Sequence, residues 1–243
     1  MRIAISGSAC QGKSTLVADI LKNWPIYNKS AESYRKVIKE EKIGVNKNVT
    51  KDGQWKILNC LIDDLQSTKK GDKIIFDRCP LDNIVYSLWS FDKNTSDIDK
   101  TFIDKCIPLV QESMKFLDVI FFLPITRAAP VEIIDRENRE IDKTYIEEID
   151  NIFKAISYQL TKFNKSPFFP ENDFPPIIEI FGSPEERVEM LKLYIDDNGD
   201  LISENESVLD IENLKDMQQL VDAQKKIKQD DDVAKRLKKK FLI

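Results

Sequence analysis

The stretch GSACQGKST, at residues 7–15, combines residue types and a spacing that suit phosphate binding. The chain has only 7 glycines in 243 residues, yet Gly7 and Gly12 both fall in this stretch, and Lys-Ser-Thr follows Gly12. Glycines let the backbone N–H groups of such a loop turn inward, and the N-terminus of a following helix adds partial positive charge. The pattern GxxxxGK[ST] between a strand and a helix therefore predicts a phosphate-binding loop, also called a Walker A motif.

The predicted loop assigns a task to its polar side chains. Lys13 is expected to reach the β and γ phosphates of a nucleoside triphosphate, Ser14 to ligate Mg²⁺ and Thr15 to contact the α phosphate. We therefore expect ATP and Mg²⁺ as cofactors. The predicted nucleotide-binding residues are Gly7, Ser8, Ala9, Cys10, Gln11, Gly12, Lys13, Ser14 and Thr15.

A second cluster, IIFDRCPLDN, contains an apolar run that ends in charge at Asp77 and Arg78. Such a run is typical of a central strand in a parallel sheet, whose carboxyl end faces a ligand. The chain lacks the Asn-Lys-x-Asp motif expected of a GTPase and the long apolar strand ending in Asp-Glu expected of a motor ATPase. The cluster therefore favours a small-molecule kinase.

The absence of histidine limits the catalytic chemistry. It excludes Ser-His and Cys-His catalysis and any metal site with histidine ligands. A general base must then be a carboxylate, or failing that a lysine, a tyrosine or a thiolate.

The elements that must position these residues alternate as in an α/β protein. Apolar runs predict strands at RIAIS, PIYN, KIIFDR, DVIFFLP and PPIIEIFG. Helical spacing indicates helices after the phosphate loop, in SAESYRKVIKEE with Ser30 as its cap, and at about residues 54–69, 80–89, 97–117 and 143–163. A last helix is predicted in SPEERVEMLKLYI, where Ser183, Pro184 and Glu186 form a start signal.

Composition points to a globular protein and not to a disordered one. The 42% hydrophobic content suffices for one α/β domain with appendages, and the net charge of -5 argues against a general nucleic-acid binder. Four cysteines without CxxC spacing and an N-terminus that runs straight into a strand lead us to expect a cytoplasmic protein. No apolar run approaches the ~20 residues of a membrane-spanning helix.

The C-terminal tail departs from the α/β pattern. Residues 195–224 carry nine acids and one lysine, whereas residues 225–243 carry eight basic residues and three acids. We predict a core domain at residues 1–195 and a hairpin or helical appendage at residues 196–243, which packs on the core or on a second subunit. The alternative is a basic arm that binds nucleic acid.

Four segments together resemble the P-loop nucleoside and nucleotide kinase group: GSACQGKST, AESYRKVIKE, IIFDRCPLDNIVYS and DRENREIDKTYIEEIDNIF. Within that group the sequence is similar to the nicotinamide-riboside-kinase-like and phage-type AAA-like kinase proteins, over about residues 1–195. The resemblance implies a parallel five-stranded sheet flanked by helices. It also implies an acceptor bound across from ATP and a lid with arginines at about residues 125–142.

The resemblance further implies roles for three residues outside the loop, and Arg35, one helical turn after Glu32, would face the same side. Asp77 would aid Mg²⁺ or the acceptor hydroxyl, and Arg78 would grip the acceptor or the phosphoryl group in flight. Glu32 would place a carboxylate near the acceptor and could accept its proton, or it could simply complement a helix dipole. Arg35 could hold an acceptor phosphate or base, or form a solvated salt bridge.

Two further groups have both a site interpretation and a structural one. In the lid segment, Arg136 and Arg139 are preferred over Arg127 as the cations that neutralise the transition state, because their spacing places both on one helical face. Asp82, Asn83 or Tyr86 could contact a sugar or base, whereas a core position is expected for Trp89.

We therefore expect a kinase that transfers the γ-phosphoryl group of ATP to a nucleoside, a nucleotide or a related small acceptor. One alternative is a kinase that acts on a hydroxyl of a polynucleotide or a modified base in DNA, favoured only by the basic end of the tail. Another is a nucleotide-controlled binding or assembly protein with weak ATPase activity. The sequence also leaves open whether the protein forms a homo-oligomer through the appendage.

Overall fold

A computed structural model describes residues 1–126, 142–163 and 165–202 of the chain. Within these residues five parallel strands form one sheet in the order β2-β3-β1-β4-β5. The strands are β1 (Arg2–Ser6), β2 (Asn28–Lys29), β3 (Ile74–Asp77), β4 (Val119–Phe122) and β5 (Ile177–Glu179). The predicted five-stranded parallel sheet is confirmed.

Helices connect the strands, because parallel neighbours need crossover connections. They are α1 (Lys13–Asn23), α2 (Ser33–Glu40), α3 (Lys51–Gln66), α4 (Pro80–Lys93), α5 (Lys100–Ser113), α6 (Lys143–Phe163) and α7 (Pro184–Leu191). Short 3-10 turns at Asn46–Asn48 and Met114–Phe116 complete the described elements. The α/β fold predicted from the alternation of strands and helices is confirmed.

Alternating side chains of the central strand face two separate hydrophobic clusters. Ile3 and Ile5 belong to the cluster that α1 and α7 complete, whereas Ala4 belongs to the cluster formed with α3, α4, α5 and α6. This arrangement follows from the two-residue period of a strand. The five residues of β1 are all buried, so the strand is fixed from both sides.

The register of the sheet gathers the predicted site residues at one edge. Ile5 lies opposite Asp77 of β3, and Ser6 lies opposite Phe122 of β4. All strands run parallel, so their carboxyl ends meet at this edge, where ligands bind in open α/β sheets.

The start of α2 differs from the sequence prediction. Ser30 was expected to cap this helix, but the N-cap position is Glu32, which has a left-handed backbone with φ of 50° and no side-chain cap. The Ser30 N–H instead donates to the carbonyl of Ile75 and extends the pairing of β2 with β3. The predicted start of α7 is confirmed, because Ser183 and Glu186 form a reciprocal capping box.

Residues Met1–Asp200 form one compact unit. The Asn-Gly turn near its end is held on the core, since the Trp24 indole donates to Asp196 O at 2.8 Å and the Tyr27 hydroxyl to Gly199 O at 2.7 Å. The division at residues 195 and 196 stays a prediction, and residues 203–243 of the predicted appendage lie outside the described residues. Among the described helices, none has the length and apolar character that crossing a membrane requires.

Candidate functional site

The loop between β1 and α1 has the backbone that its sequence predicts. Gly12 adopts φ of 79° at the N-cap of α1, and no side chain caps the first turn of that helix. Cys10 also has a positive φ, at 62°. The first N–H groups of a helix lack intrahelical partners, so this uncapped turn can bind an anion.

Lys13 lies inside the loop and has little solvent exposure. Its ammonium donates to the carbonyls of Gly7 at 2.8 Å and Ser8 at 2.5 Å. Burial, together with the nearby charge of Arg78, lowers the pKa of Lys13 to about 7. The surroundings of Lys13 therefore stabilise its charged form poorly, and a bound phosphate would stabilise that form.

A buried arginine from α7 contacts the same loop from another side. Nη1 of Arg187 donates to the carbonyl of Gln11 at 2.8 Å. The side chain is 5% exposed, and a Cβ built on Gly12 would lie 2.9 Å from Nη1. Sequence reasoning missed Arg187, because nothing in the pattern of the last helix indicates contact with the loop.

Ser14 and Asp77 meet at the edge of the sheet. The Ser14 hydroxyl donates to Oδ2 of Asp77 at 2.6 Å, and Oδ1 of Asp77 is buried with no hydrogen-bond partner in the described part of the chain. Burial alone would raise the pKa of Asp77, but the hydrogen bond from Ser14 and the charges of Lys13 and two arginines lower it. The carboxylate is therefore ionised at neutral pH.

An ion-pair chain connects α2 to this carboxylate. Arg35 donates through Nη2 to Oδ2 of Asp77 at 2.8 Å and through Nε to Oε1 of Glu32 at 2.7 Å. The other carboxylate oxygen of Glu32 contacts Lys29 at 2.7 Å. The structure thus brings together Glu32, Arg35, Asp77 and the phosphate loop, which the sequence placed in three separate segments.

Arg78 and Asp82 occupy the turn between β3 and α4. Asp82 is 1% exposed, and its carboxylate accepts from the Ser6 hydroxyl at 2.7 Å and the Cys79 N–H at 3.1 Å. Arg78 lies 3.5 Å from the same carboxylate, and burial raises the pKa of Asp82 despite this cation. Asp82 therefore holds β1, the turn and α4 together.

The aromatic residues of α4 pack inward. Trp89 meets the Tyr145 ring edge-on at 4.5 Å and donates to Glu148 at 2.8 Å, as expected of a core residue. The Arg78 guanidinium lies over the Tyr86 ring, 5.2 Å from its centre. Tyr86 is therefore positioned to orient Arg78.

Some predicted site residues lie elsewhere. Thr15 is exposed in the first turn of α1, next to Ser14, and Asn83 is buried, where its amide donates to the side chain of Gln54. The lid arginines Arg127, Arg136 and Arg139 lie outside the described residues, so their predicted role stays a prediction.

A known sequence family matches most of the residues that form this site. The family described as AAA domain matches residues 2–166, a range that contains the phosphate loop, α2 and the Asp77 turn. No curated protein matches the chain significantly.

Solved structures with low sequence identity share the fold. The deoxyadenosine kinase from M. mycoides with bound dATP aligns with a TM-score of 0.56 and 20% identity, over 79% of this chain and 97% of that one. A structure of that kinase with the products dCMP and a flexible dCDP gives a TM-score of 0.54 at 20% identity, over 79% and 96%. A NadR protein in complex with NR gives 0.51 at 18% identity, over 74% of this chain but only 45% of the NadR chain. The expected fold of the P-loop nucleoside and nucleotide kinase group is confirmed.

Proposed function

The chain belongs to the AAA domain family, and from this premise we propose that it is a kinase that transfers the γ-phosphoryl group of ATP to a nucleoside, a nucleotide or a related small acceptor. The hydrogen bond of 2.6 Å between Ser14 and Asp77 is the observation that carries the proposal. It joins the phosphate loop to the carboxylate that α2 also reaches. The protein groups that would bind the donor and those that would bind the acceptor therefore meet at the Asp77 carboxylate.

The phosphate loop would hold the donor. The uncapped N–H groups of α1 and the buried Ser8 hydroxyl, which has no hydrogen-bond partner in the described residues, can donate to phosphate oxygens. Lys13 would exchange its carbonyl partners for the β and γ phosphates. Thr15 is assigned to the α phosphate.

The residues present fit a Mg²⁺ ion. Asp77 offers a buried Oδ1 without a partner among the described residues, and Ser14 offers a hydroxyl beside it. Mg²⁺ bound with nucleotides commonly takes only one or two protein ligands, the rest being phosphate and water oxygens. Such an ion neutralises charge that develops on the transferring phosphoryl group.

The ion-pair chain on α2 would organise the acceptor. Arg35 spans Glu32 and Asp77, so an acceptor that enters here would compete for its guanidinium. We propose that Glu32 accepts the proton of the acceptor hydroxyl. The acceptor must first displace Lys29 or Arg35, the two cations that now pair with this carboxylate.

Arginines would neutralise the phosphoryl group during transfer. Arg78 is held by Asp82 and Tyr86, which orient it towards this task. We propose Arg136 and Arg139 as further cations supplied by the lid segment. Asp82 would act through Arg78 and Ser6 rather than by touching the acceptor.

A screen with γ-labelled ATP tests the proposal. The acceptors are nucleosides, nucleotides, NR and oligonucleotides, with deoxyadenosine and NR tried first because of the two fold relatives. We expect label to appear in at least one small acceptor. Transfer of label to oligonucleotides alone would favour the polynucleotide alternative.

Hydrolysis that is slow and independent of every acceptor would contradict the kinase proposal. It would favour the nucleotide-controlled binding protein. The proposal also includes a cytoplasmic location, which Cys60, Cys79 and Cys106 support because they form no disulfide among the described residues.

A further inference from the structure

Arg187 is a buried cation that contacts the phosphate loop. It lies in the first turns of α7, which begins at Pro184, and its Nη1 donates to the carbonyl of Gln11 at 2.8 Å. The two residues are separated by 176 positions in the chain. The contact therefore ties the last described helix to the first loop.

No carboxylate compensates this charge within the part of the chain that the structure describes. The nearby Glu186 carboxylate is engaged by the Ser183 N–H at 2.7 Å, and Nε of Arg187 is buried without a hydrogen-bond partner in the described residues. Burial alone lowers the pKa of Arg187. An unpaired guanidinium in such a place is unfavourable for folding, so another contribution is needed to explain its position.

The peptide bond between Gln11 and Gly12 links Arg187 to the inside of the loop. A trans peptide points its C=O and its N–H in opposite directions. Because the Gln11 carbonyl points to Arg187, the N–H of Gly12 in the same peptide unit points away from Arg187. That N–H is one of the donors expected to bind phosphate.

We propose that Arg187 is a positioning residue for the donor nucleotide, which fixes the Gln11–Gly12 peptide from behind the loop and whose charge is compensated by phosphates bound in front. The inference rests on the phosphate-binding part of the proposed function and does not require phosphoryl transfer. It explains why an unpaired buried cation is tolerated beside Gly12, where a Cβ would lie 2.9 Å from the guanidinium.

The test compares Arg187→Met and Arg187→Lys with a control on the same helix. Lys192→Met removes one charge from the C-cap of α7, where the lysine is half exposed and pairs with Glu189. Calorimetry would measure the affinity of each full-length variant for Mg-ATP and for Mg-tripolyphosphate. Thermal unfolding without ligand would be measured in parallel.

We expect Arg187→Met to bind both ligands at least about tenfold more weakly, which is the effect of losing a charge-assisted hydrogen bond. Its unfolding midpoint without ligand should equal or exceed that of the wild type, because the unpaired buried charge is gone. Arg187→Lys should restore affinity to within about threefold by keeping the charge, and Lys192→Met should bind as the wild type does.

Two results would overturn the inference: wild-type affinity in Arg187→Met, or equal losses of affinity in Arg187→Met and Arg187→Lys. A purely structural role predicts a lower unfolding midpoint with unchanged affinity. Hydrogen exchange on the wild type decides the matter if Arg187→Met does not fold. Mg-ATP should then slow exchange at the amides of residues 187–191, and protection confined to the phosphate loop would refute the inference.

These outcomes separate the inference from the proposed function. A wild type that binds Mg-ATP with protection of α7 but phosphorylates no acceptor supports the inference and refutes the kinase proposal. A wild type that binds neither ligand refutes both.

Discussion

The Ser14 hydroxyl donates a hydrogen bond of 2.6 Å to Oδ2 of Asp77 and so joins the first turn of α1 to the carboxyl end of β3. The same carboxylate oxygen accepts from Arg35 at 2.8 Å. One oxygen atom therefore connects the loop that would hold the donor with the helix that would hold the acceptor. The predictions below separate these two sides.

Asp77→Asn should abolish transfer while it leaves donor binding nearly intact. The amide keeps the shape of the side chain but loses the charge that would hold Mg²⁺ at the reacting phosphates. We expect the rate of transfer to fall by at least about 100-fold, with the affinity for ATP within about threefold of the wild type. Asp104→Asn, a surface residue paired with Lys100, is the matched control. Loss of ATP affinity as large as the loss of rate would contradict the assigned role.

Arg35→Met should affect the acceptor and spare the donor. The guanidinium bonds to Glu32 and Asp77, so its removal leaves two carboxylates without a shared cation. We expect the KM for the acceptor to rise about tenfold or more, with an unchanged KM for ATP. The free energy of unfolding should also fall, because the fully buried Asp77 carboxylate loses one of its cations. Lys36→Met, an exposed cation on the same helix, should leave both KM values unchanged.

Lys13 should make the stability of the protein depend on pH. Its pKa is about 7 in the folded protein because of burial and the Arg78 charge, whereas an unfolded lysine titrates near 10.5. Between these values the unfolded state binds more protons, so the free energy of unfolding rises with pH. The free energy of unfolding of the wild type minus that of Lys13→Met should therefore increase with pH, by up to about 1.4 kcal/mol per pH unit.

Urea denaturation of both proteins from about pH 7.5 to 9.5 measures that difference. Taking the difference removes the contributions of groups that do not interact with Lys13, because both proteins contain them. A difference that stays flat or falls would show that the Lys13 ammonium is stabilised in the folded protein.

Gly12→Ala should lower the free energy of unfolding by more than backbone strain alone would. Gly12 and Gly71 both have positive φ, at 79° and 97°, but a Cβ on Gly71 meets nothing within 4 Å. Gly71→Ala therefore isolates the strain, which amounts to about 1–2 kcal/mol. Gly12→Ala should cost more than that, because its methyl group also meets Arg187.

Urea denaturation compares the two alanine variants, and the double variant Gly12→Ala with Arg187→Ala tests the contact directly. The excess cost of Gly12→Ala should shrink in the background of Arg187→Ala. Equal costs for Gly12→Ala and Gly71→Ala would contradict the contact as a source of destabilisation.

Local patterns in the sequence predict most of the fold. The phosphate loop, the five strands and the cap of α7 at Ser183 all depend on neighbours within a few residues, which is the range that spacing and propensity reach. The sequence also predicted Ser14, Asp77 and Glu32 as members of one site. The topology accounts for the place of Asp77, because parallel strands end at the same edge, whereas the roles of Asp77 and Glu32 came from the resemblance to the kinase group.

Contacts between distant segments could not be predicted in this way. The helical spacing of α7 fixes the place of Arg187 on its helix, but only the packed fold brings Gln11 to it. Asp82 shows the same limit, since the sequence suggested that it could contact a sugar or base, whereas the packed fold brings the distant Ser6 hydroxyl to its carboxylate. The prediction of Ser30 as the cap of α2 was wrong for the same reason, because the Ser30 N–H pairs with the distant Ile75 carbonyl and the helix begins after Glu32.

The turn near the end of the compact unit has a practical consequence for anyone who shortens the protein. The Tyr27 hydroxyl and the Lys73 ammonium both donate to the carbonyl of Gly199. Deletion back to residue 195 would leave the phenol, the ammonium and the Trp24 indole without their acceptors, at a boundary that charge patterning alone would recommend. A truncated version made for crystals should keep every residue through Asp200.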